Sequence, residues 1–435
     1  MPPALGQTWR WVVVLIAGSV VACGCARGPA RLRPPEPAAI PIDHVVVLMQ
    51  ENRSFDSYLG QLHASGQPQA EPEPATAANP DPTNPAGPAM RAFHQDRYCE
   101  VADLEHSWTG AHREWNGGAM DGFTAANVTP ADPTGSRAMG YYSQADLPYY
   151  YGLYSTFAMA DRYFSSVLGP TFPNRFFLLA GTSFGHIRND LPPLGGFTQR
   201  SVFNLLDEAS VSWRYYYSDF LPFAEEFSYV RAHAAGHLVP ISQYYADAAA
   251  GQLPQVSFVD PLLAGSAAIA NDEHPPSNVQ VGEAFAAGVI DSLFRSPQWP
   301  SSALFLAYDE DGGFYDHVPP PVAPVPDAIA PMLRSGDIDS AFDRYGLRVP
   351  AVVVSPYARA HFVSHTVYDH TSILRFIETR FGLPSLSQRD AHADPMLGMF
   401  DFTRMTFAAP PPLPPTPVDP APQPGCPGSP GGGGR

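Results

Sequence analysis

Residues 44–49, within the stretch IDHVVVLM, form an unbroken apolar, β-branched run. That is the pattern of a strand buried on both faces of a parallel sheet, rather than the alternation of a half-exposed one. Four further stretches are strand candidates: 211–217 (VSWRYYY), 256–260 (VSFVD), 303–308 (ALFLAY) and 350–354 (PAVVV). Between them the pattern turns helical over 173–180, 201–208, 278–293 and 370–380. In the last of these Ile373, Leu374, Ile377 and Phe381 share one face, and Gly382 stands where a left-handed C-terminal cap belongs. Alternating strands and helices predict an α/β fold with a central, mostly parallel sheet flanked by helices on both faces. Ligands of such sheets bind beyond the carboxyl ends of the strands.

Other stretches lack any period. Residues 67–89 are Pro-rich, predicting a surface insertion without regular structure. A second Pro-rich loop covers 319–331, and the tail 408–435 has the composition of a disordered segment. The N-terminus reads as an export signal: Arg10 is the only charge before the apolar run 11–22, which is too short to span a bilayer comfortably. The run ends in VVAC, similar to a bacterial lipobox, in which Cys23 becomes the lipid-modified first residue. An ordinary signal cleaved near Ala26 is the alternative. The expected organisation is a signal peptide over 1–22, a lipid anchor and tether over 23–41, and a catalytic domain over 42–407. Gly24 after the cysteine, with no Asp, points to the outer membrane or cell surface; without lipidation the protein is secreted. Cys25, Cys99 and Cys426 are too few for a disulfide framework, and no cysteine cluster has zinc spacing.

With 42 Asp and Glu against 25 Lys and Arg, the chain carries a formal charge of −17, which argues against a nucleic-acid groove. A phosphorylated substrate remains compatible, because a bound cation supplies local positive charge. The acids concentrate at two strand ends. Gln50, Glu51 and Asn52 follow the first run; Asp309, Glu310 and Asp311 follow the fourth, and then Gly312 and Gly313 allow a sharp turn. If the ends converge, their donors are all oxygens, which favours one hard divalent cation of the Mg²⁺, Ca²⁺ or Mn²⁺ type. Taken singly, 309–311 also reads as a solvated turn and Asn52 as a helix cap. Thr171, in LGPTFPNR, falls near a helix start, where its hydroxyl is either a cap or a nucleophile facing a phosphoryl group. His106, His274 and His317 lie in loops among Pro, Gly and acids, and are candidates for substrate contact. Aromatic runs at 149–154 and 213–217 either line a pocket or pack the core.

Taken together, QENRSFDSYLG, HSW…WNGGAMDGF, ADRYFSSVLGPTFPNR, DEHPPS and YDEDGGFYDHVPPP resemble the bacterial phosphoesterase family that contains the phosphatidylcholine-type phospholipases C and an acid phosphatase branch. The likeness runs from about 42 to 405 and implies an alkaline phosphatase-like fold. It implies that Glu51, Asn52, Asp309 and Glu310 hold the metal together with Thr171, the nucleophile of a phospho-enzyme mechanism. His106 and His274 match histidines at the phosphoryl or leaving-group side. His112 and His317 fall in shared motifs, and His317 either contacts substrate or anchors its turn. The resemblance thus implies a metal-dependent phosphoesterase, phospholipase C-like or, as the alternative, an acid phosphatase acting on monoesters. A surface lipoprotein that only binds would have lost a ligand or the nucleophile, and all five positions are present. The large phospholipases of the family carry further C-terminal domains and often a twin-arginine signal, neither of which is visible in this sequence.

Overall fold

The computed structural model describes residues 39–418, except 101, 192 and 264–268. The signal peptide, Cys23, most of the tether and the end of the tail lie outside the described residues. Eight strands form one sheet: β1 (His44–Gln50), β2 (Ala158–Ala160), β3 (Trp213–Tyr217), β4 (Leu238–Pro240), β5 (Val256–Val259), β6 (Ser302–Tyr308), β7 (Ala351–Val354) and β8 (Val363–Ser364). Their order is β8-β2-β7-β6-β1-β5-β3-β4. Every pairing is parallel except those of β7 with β6 and β2. The five apolar runs are thus five of the strands. The others, β2, β4 and β8, have two or three residues and are too short to leave a periodic signal. β1 lies centrally between β5 and β6, and Val45–Met49 are buried, as an unbroken apolar run requires.

Helices flank the sheet, and four carry the argument: α1 (Phe55–Leu59), α2 (Trp108–Trp115), α3 (Pro148–Thr156) and α4 (Thr171–Ala180). The remaining predicted helices form at Val202–Glu208, Val279–Phe294 and His370–Phe381. The last opens on an Asp369/Ser372 capping box and closes on Gly382 at φ 68°, as its sequence suggests. The aromatic runs pack the core: Tyr149, Tyr150, Tyr151 and Tyr154 of α3 and Trp213, Tyr215 and Tyr216 of β3 are all buried.

Two compositional expectations need correction. The 67–89 insertion is neither wholly irregular nor wholly on the surface. Ala78–Asn79 pairs antiparallel with Met90–Arg91, and Gln67, Ala70, Ala77 and Asn79 are buried. Asn79 makes this possible by accepting from the Phe123 amide (2.9 Å) and donating to the Met120 carbonyl (3.0 Å). The tail is placed as far as residue 418 instead of losing order at 408. Pro411–Thr416 lies in a groove with Tyr149, Asp291 and Phe294, Leu413 packs on the core, and the Pro414 ring sits where a side chain at Gly152 would be. Prolines already restricted in φ lose little entropy by docking. Cys99 is buried and disulfide-bonded.

Candidate active site

Adjacent strands β6, β1 and β5 deliver Asp309, Glu51 and Asp260 to one crevice at the sheet's carboxyl edge. The two polar strand ends that the sequence singles out do converge. The Asp309 amide donates to the Gln50 carbonyl (3.1 Å), and Asp309 Oδ1 accepts from the amides of Asn52 (3.2 Å) and Glu310 (2.8 Å). Asn52 has φ 59°, a conformation Asn tolerates better than most residues. The paired glycines are needed because a Cβ on Gly312 would lie 2.4 Å from the Asn52 carbonyl oxygen and one on Gly313 2.5 Å from that of Glu105.

Buried polar atoms are left over. Asn52 Oδ1 and Nδ2, Asp309 Oδ2 and Glu310 Oε1 have no hydrogen-bond partner, although Asp309 Oδ2 faces Arg175 Nε at 3.5 Å. Burial pushes the carboxyls of Asp309 and Glu310 up, and repulsion from Asp311 and Asp309 adds to the effect at Glu310. Burial also raises Asp311, to about 7. Buried polar atoms are normally satisfied, so oxygen donors without partners fit a hard cation. The residues present therefore suit the metal that the family resemblance implies, with Glu51 completing the oxygen set.

Thr171 is the first residue of α4, whose cap position is Pro170. The hydroxyl therefore does not cap this helix, which removes the ordinary local reading. The turn before it is held by Asn174: its Oδ1 accepts from Val167 N (3.0 Å), while Nδ2 donates to the carbonyls of Gly169 (2.8 Å) and Pro170 (3.1 Å). One turn past Thr171, the buried Arg175 reaches Glu51 (3.3 Å), Asp260 (3.1 Å) and the Met49 carbonyl (3.2 Å), besides Asp309. Arg175 thereby ties the helix bearing the nucleophile candidate to three strand ends. Asp260, raised to about 6 by burial even beside Arg175, also accepts from the Tyr215 hydroxyl. Behind Asp309, the buried His370 bonds its carbonyl through Nε2 (2.7 Å) and meets the Tyr163 hydroxyl through Nδ1 (3.1 Å). Burial lowers His370 to about 3, so the ring stays neutral.

His106 and His274 meet edge to face, with centroids 5.5 Å apart. Each places Nδ1 on a backbone carbonyl, Leu104 at 2.8 Å and Pro275 at 2.6 Å. A carbonyl only accepts, so Nδ1 carries the proton and Nε2 is directed elsewhere. His106 Nε2 lies 4.0 Å from Glu310 Oε1, and His274 Nε2 lies 3.9 Å from Asp103 Oδ2. The His274 loop is held from below: the buried Glu273 accepts from Gln50 Nε2 (3.0 Å), Tyr150 OH (2.5 Å) and Tyr308 OH (2.7 Å). Gln50 thus anchors the loop that carries His274. Glu51, Thr171 and His274 line one cleft of about 460 Å³, whose wall includes Phe172, Phe223 and Leu263.

His317 is not brought to this cluster. Its Nδ1 pairs with Asp56 (2.6 Å) and its Nε2 faces Glu71 (3.6 Å), in a network centred on the buried Arg348. Nδ1 anchors the turn and Nε2 lies towards Glu71, which favours the anchoring alternative over substrate contact. His112 bonds the Trp108 carbonyl (2.6 Å) and packs at a tilt against that indole, a structural role within α2.

Oxygen donors, a hydroxyl and two histidines thus gather at the carboxyl edge of a mostly parallel sheet, an arrangement compatible with phosphate-ester hydrolysis. The chain belongs to the phosphoesterase family, whose model matches residues 42–384. It is 35% identical over 422 residues to phospholipase C B of Mycobacterium tuberculosis, covering 85% of this chain and 78% of the relative. It is 33% identical to non-specific phospholipase C1 of Arabidopsis thaliana over 81% of this chain and 70% of the other. With the non-hemolytic phospholipase C of Pseudomonas aeruginosa it shares 32%, over 83% and 57%. Among solved structures, an alkaline phosphatase superfamily protein from Vibrio parahaemolyticus covers 77% of each chain at 11% identity and a TM-score of 0.36.

Proposed function

We propose that this phosphoesterase is a metal-dependent, phospholipase C-like phosphodiesterase with Thr171 as nucleophile. The observation that carries the reading is that Thr171 opens into the same cleft as Glu51 and His274, and that Glu51 shares Arg175 with Asp309, whose buried Oδ2 lacks a hydrogen-bond partner. Glu51, Asn52, Asp309, Glu310 and the Thr171 hydroxyl would hold one divalent cation. Bound there, it would lower the hydroxyl pKa and offset phosphate charge. Thr171 Oγ1 gives up its proton to solvent and attacks phosphorus in line, the bond to the leaving alcohol breaks, and a phosphothreonine diester forms. When charged, His106 and His274 present Nε2–H to equatorial oxygens or to the departing alcohol, which takes the proton. Water then cleaves the phosphothreonine and frees the phosphorylated head group. The apolar wall formed by Phe172, Phe223 and Leu263 suits the second alkyl group that a diester carries and a monoester lacks.

Side-by-side kinetics test the substrate class. The kcat/KM for p-nitrophenyl phosphorylcholine should exceed that for p-nitrophenyl phosphate. A tenfold preference for the monoester, about 1.4 kcal/mol in transition-state binding, would assign the enzyme to acid phosphatase chemistry.

Metal dependence has its own measurement. Glu51→Ala and Asp309→Ala should lose bound metal, and activity should drop by about two orders of magnitude or more, since a cation's charge stabilisation is worth several kcal/mol. Full activity of either variant in chelator would remove the cation from this position. We also propose export and lipidation at Cys23, which would keep the enzyme at a membrane surface. Fatty-acid labelling should be lost in Cys23→Ala, and equal labelling of both proteins would refute it.

A further inference from the structure

Fifteen large hydrophobic side chains are exposed among the described residues, and seven of them lie on three interlinked segments, two of which reach the active-site cleft. Leu191 and Leu221 stand at the cleft itself. Leu194 (107% exposed) and Phe220 (93%) project beyond them from the same two loops. The third segment carries Ile329, Met332 and Leu333. Singly exposed apolar residues are ordinary, but a concentration around one opening is not.

The segments are joined to one another and to the site. Asn189 Oδ1 accepts from the amide of Phe172, next to Thr171 (2.9 Å). The Phe197 amide donates to the Glu226 carbonyl (2.7 Å), linking the first loop to the second. The Met332 amide donates to the Gly185 carbonyl (2.8 Å), and Arg334 pairs with Asp190 (2.7 Å), linking the third.

We infer that this rim docks on a bilayer of zwitterionic lipid, with Leu194 and Phe220 entering the acyl boundary and the cleft opening onto the head groups. The inference rests on the diester reading above, since it presents a lipid phosphate to Thr171 without extracting the lipid. Side chains that protrude separately from three loops suit a deformable apolar medium better than a protein partner, which needs a contiguous complementary face. Charge selects the kind of lipid. Arg188 and Arg334 on the rim are already paired with Asp337 and Asp190, and the chain carries −17, so an anionic surface is disfavoured.

The test uses the full chain and two variants. Leu194→Ser/Phe220→Ser should turn over phosphatidylcholine vesicles about tenfold more slowly, having lost two apolar anchors. Its turnover of soluble p-nitrophenyl phosphorylcholine should match the wild type, because neither side chain lines the cleft. Phe220→Trp should add fluorescence that phosphatidylcholine with brominated acyl chains quenches. Unchanged vesicle turnover, or no quenching of the added signal, overturns the docking rim. A wild-type dimer that the double variant loses would also overturn it, by assigning the surface to a second copy of the chain. If the wild type fails to cleave the soluble diester, the catalytic reading falls, whereas the quenching experiment still decides the docking.

Discussion

Thr171→Ala is expected to lower kcat by about 10⁴-fold or more, the scale on which removing a nucleophile from a working constellation is felt. The variant should melt close to the wild type. Two observations separate the hydroxyl from the fold: the cap position of α4 is Pro170, and the preceding turn is held by Asn174. Thr171→Ser keeps an oxygen at the same position and should retain measurable turnover. Acid quenching during turnover of a radiolabelled diester should trap the label on Thr171. Label on another residue, or wild-type rates in the alanine variant, would refute the assignment. Substituting Asn174 by Ala should instead loosen the turn and lose turnover with the nucleophile still present, because a misplaced attacking atom costs orientation rather than chemistry.

What could be read from the sequence and what could not divide along a physical line. Strand ends were legible, since a buried apolar run that stops at charged residues is a local signal, and both QEN and DED come to the crevice. The amphipathic helix at 370–380 was legible for the same reason. Partnerships were not. Gln50 and Glu273 are 223 residues apart, and nothing near either one says that the amide supports the His274 loop. Arg175 stood inside a motif quoted for Thr171, yet an arginine on a helix reads as a solvated one until its depth is known. His317 shows the converse: its loop context suggested substrate, but only the positions of Asp56, Glu71 and Arg348 reveal that its nitrogens are engaged. Composition also misjudged the first part of the tail, up to residue 418, because proline content records what a segment cannot form and not whether a groove receives it.

Arg175→Met is expected to destabilise the chelated protein by about 3–5 kcal/mol at pH 8, the scale for removing one partner of a buried charge network. Glu51, Asp260 and Asp309 all lie beside this one guanidinium, and each is nearly inaccessible to solvent. Methionine fills similar volume, so packing changes little and the missing charge dominates. Chelation matters, because a cation among the same oxygens would replace part of that charge. The deficit should also depend on pH. Asp260 sits at about 6 with Arg175 present, above its ordinary 3.8, and loses a favourable neighbour without it. A carboxyl raised in the folded state binds its proton there when the unfolded chain does not, so stability falls as pH rises through that window. The deficit should therefore be full at pH 8 and shrink towards pH 5, where protonation removes the uncompensated charges. Arg175→Lys should recover only part of the loss, since one ammonium cannot reach four acceptors that a planar fork spans. Urea midpoints at the two pH values give the measurement. A loss below about 0.5 kcal/mol at pH 8, the range of ordinary surface substitutions, would mean that Arg175 does not hold the three strand ends together.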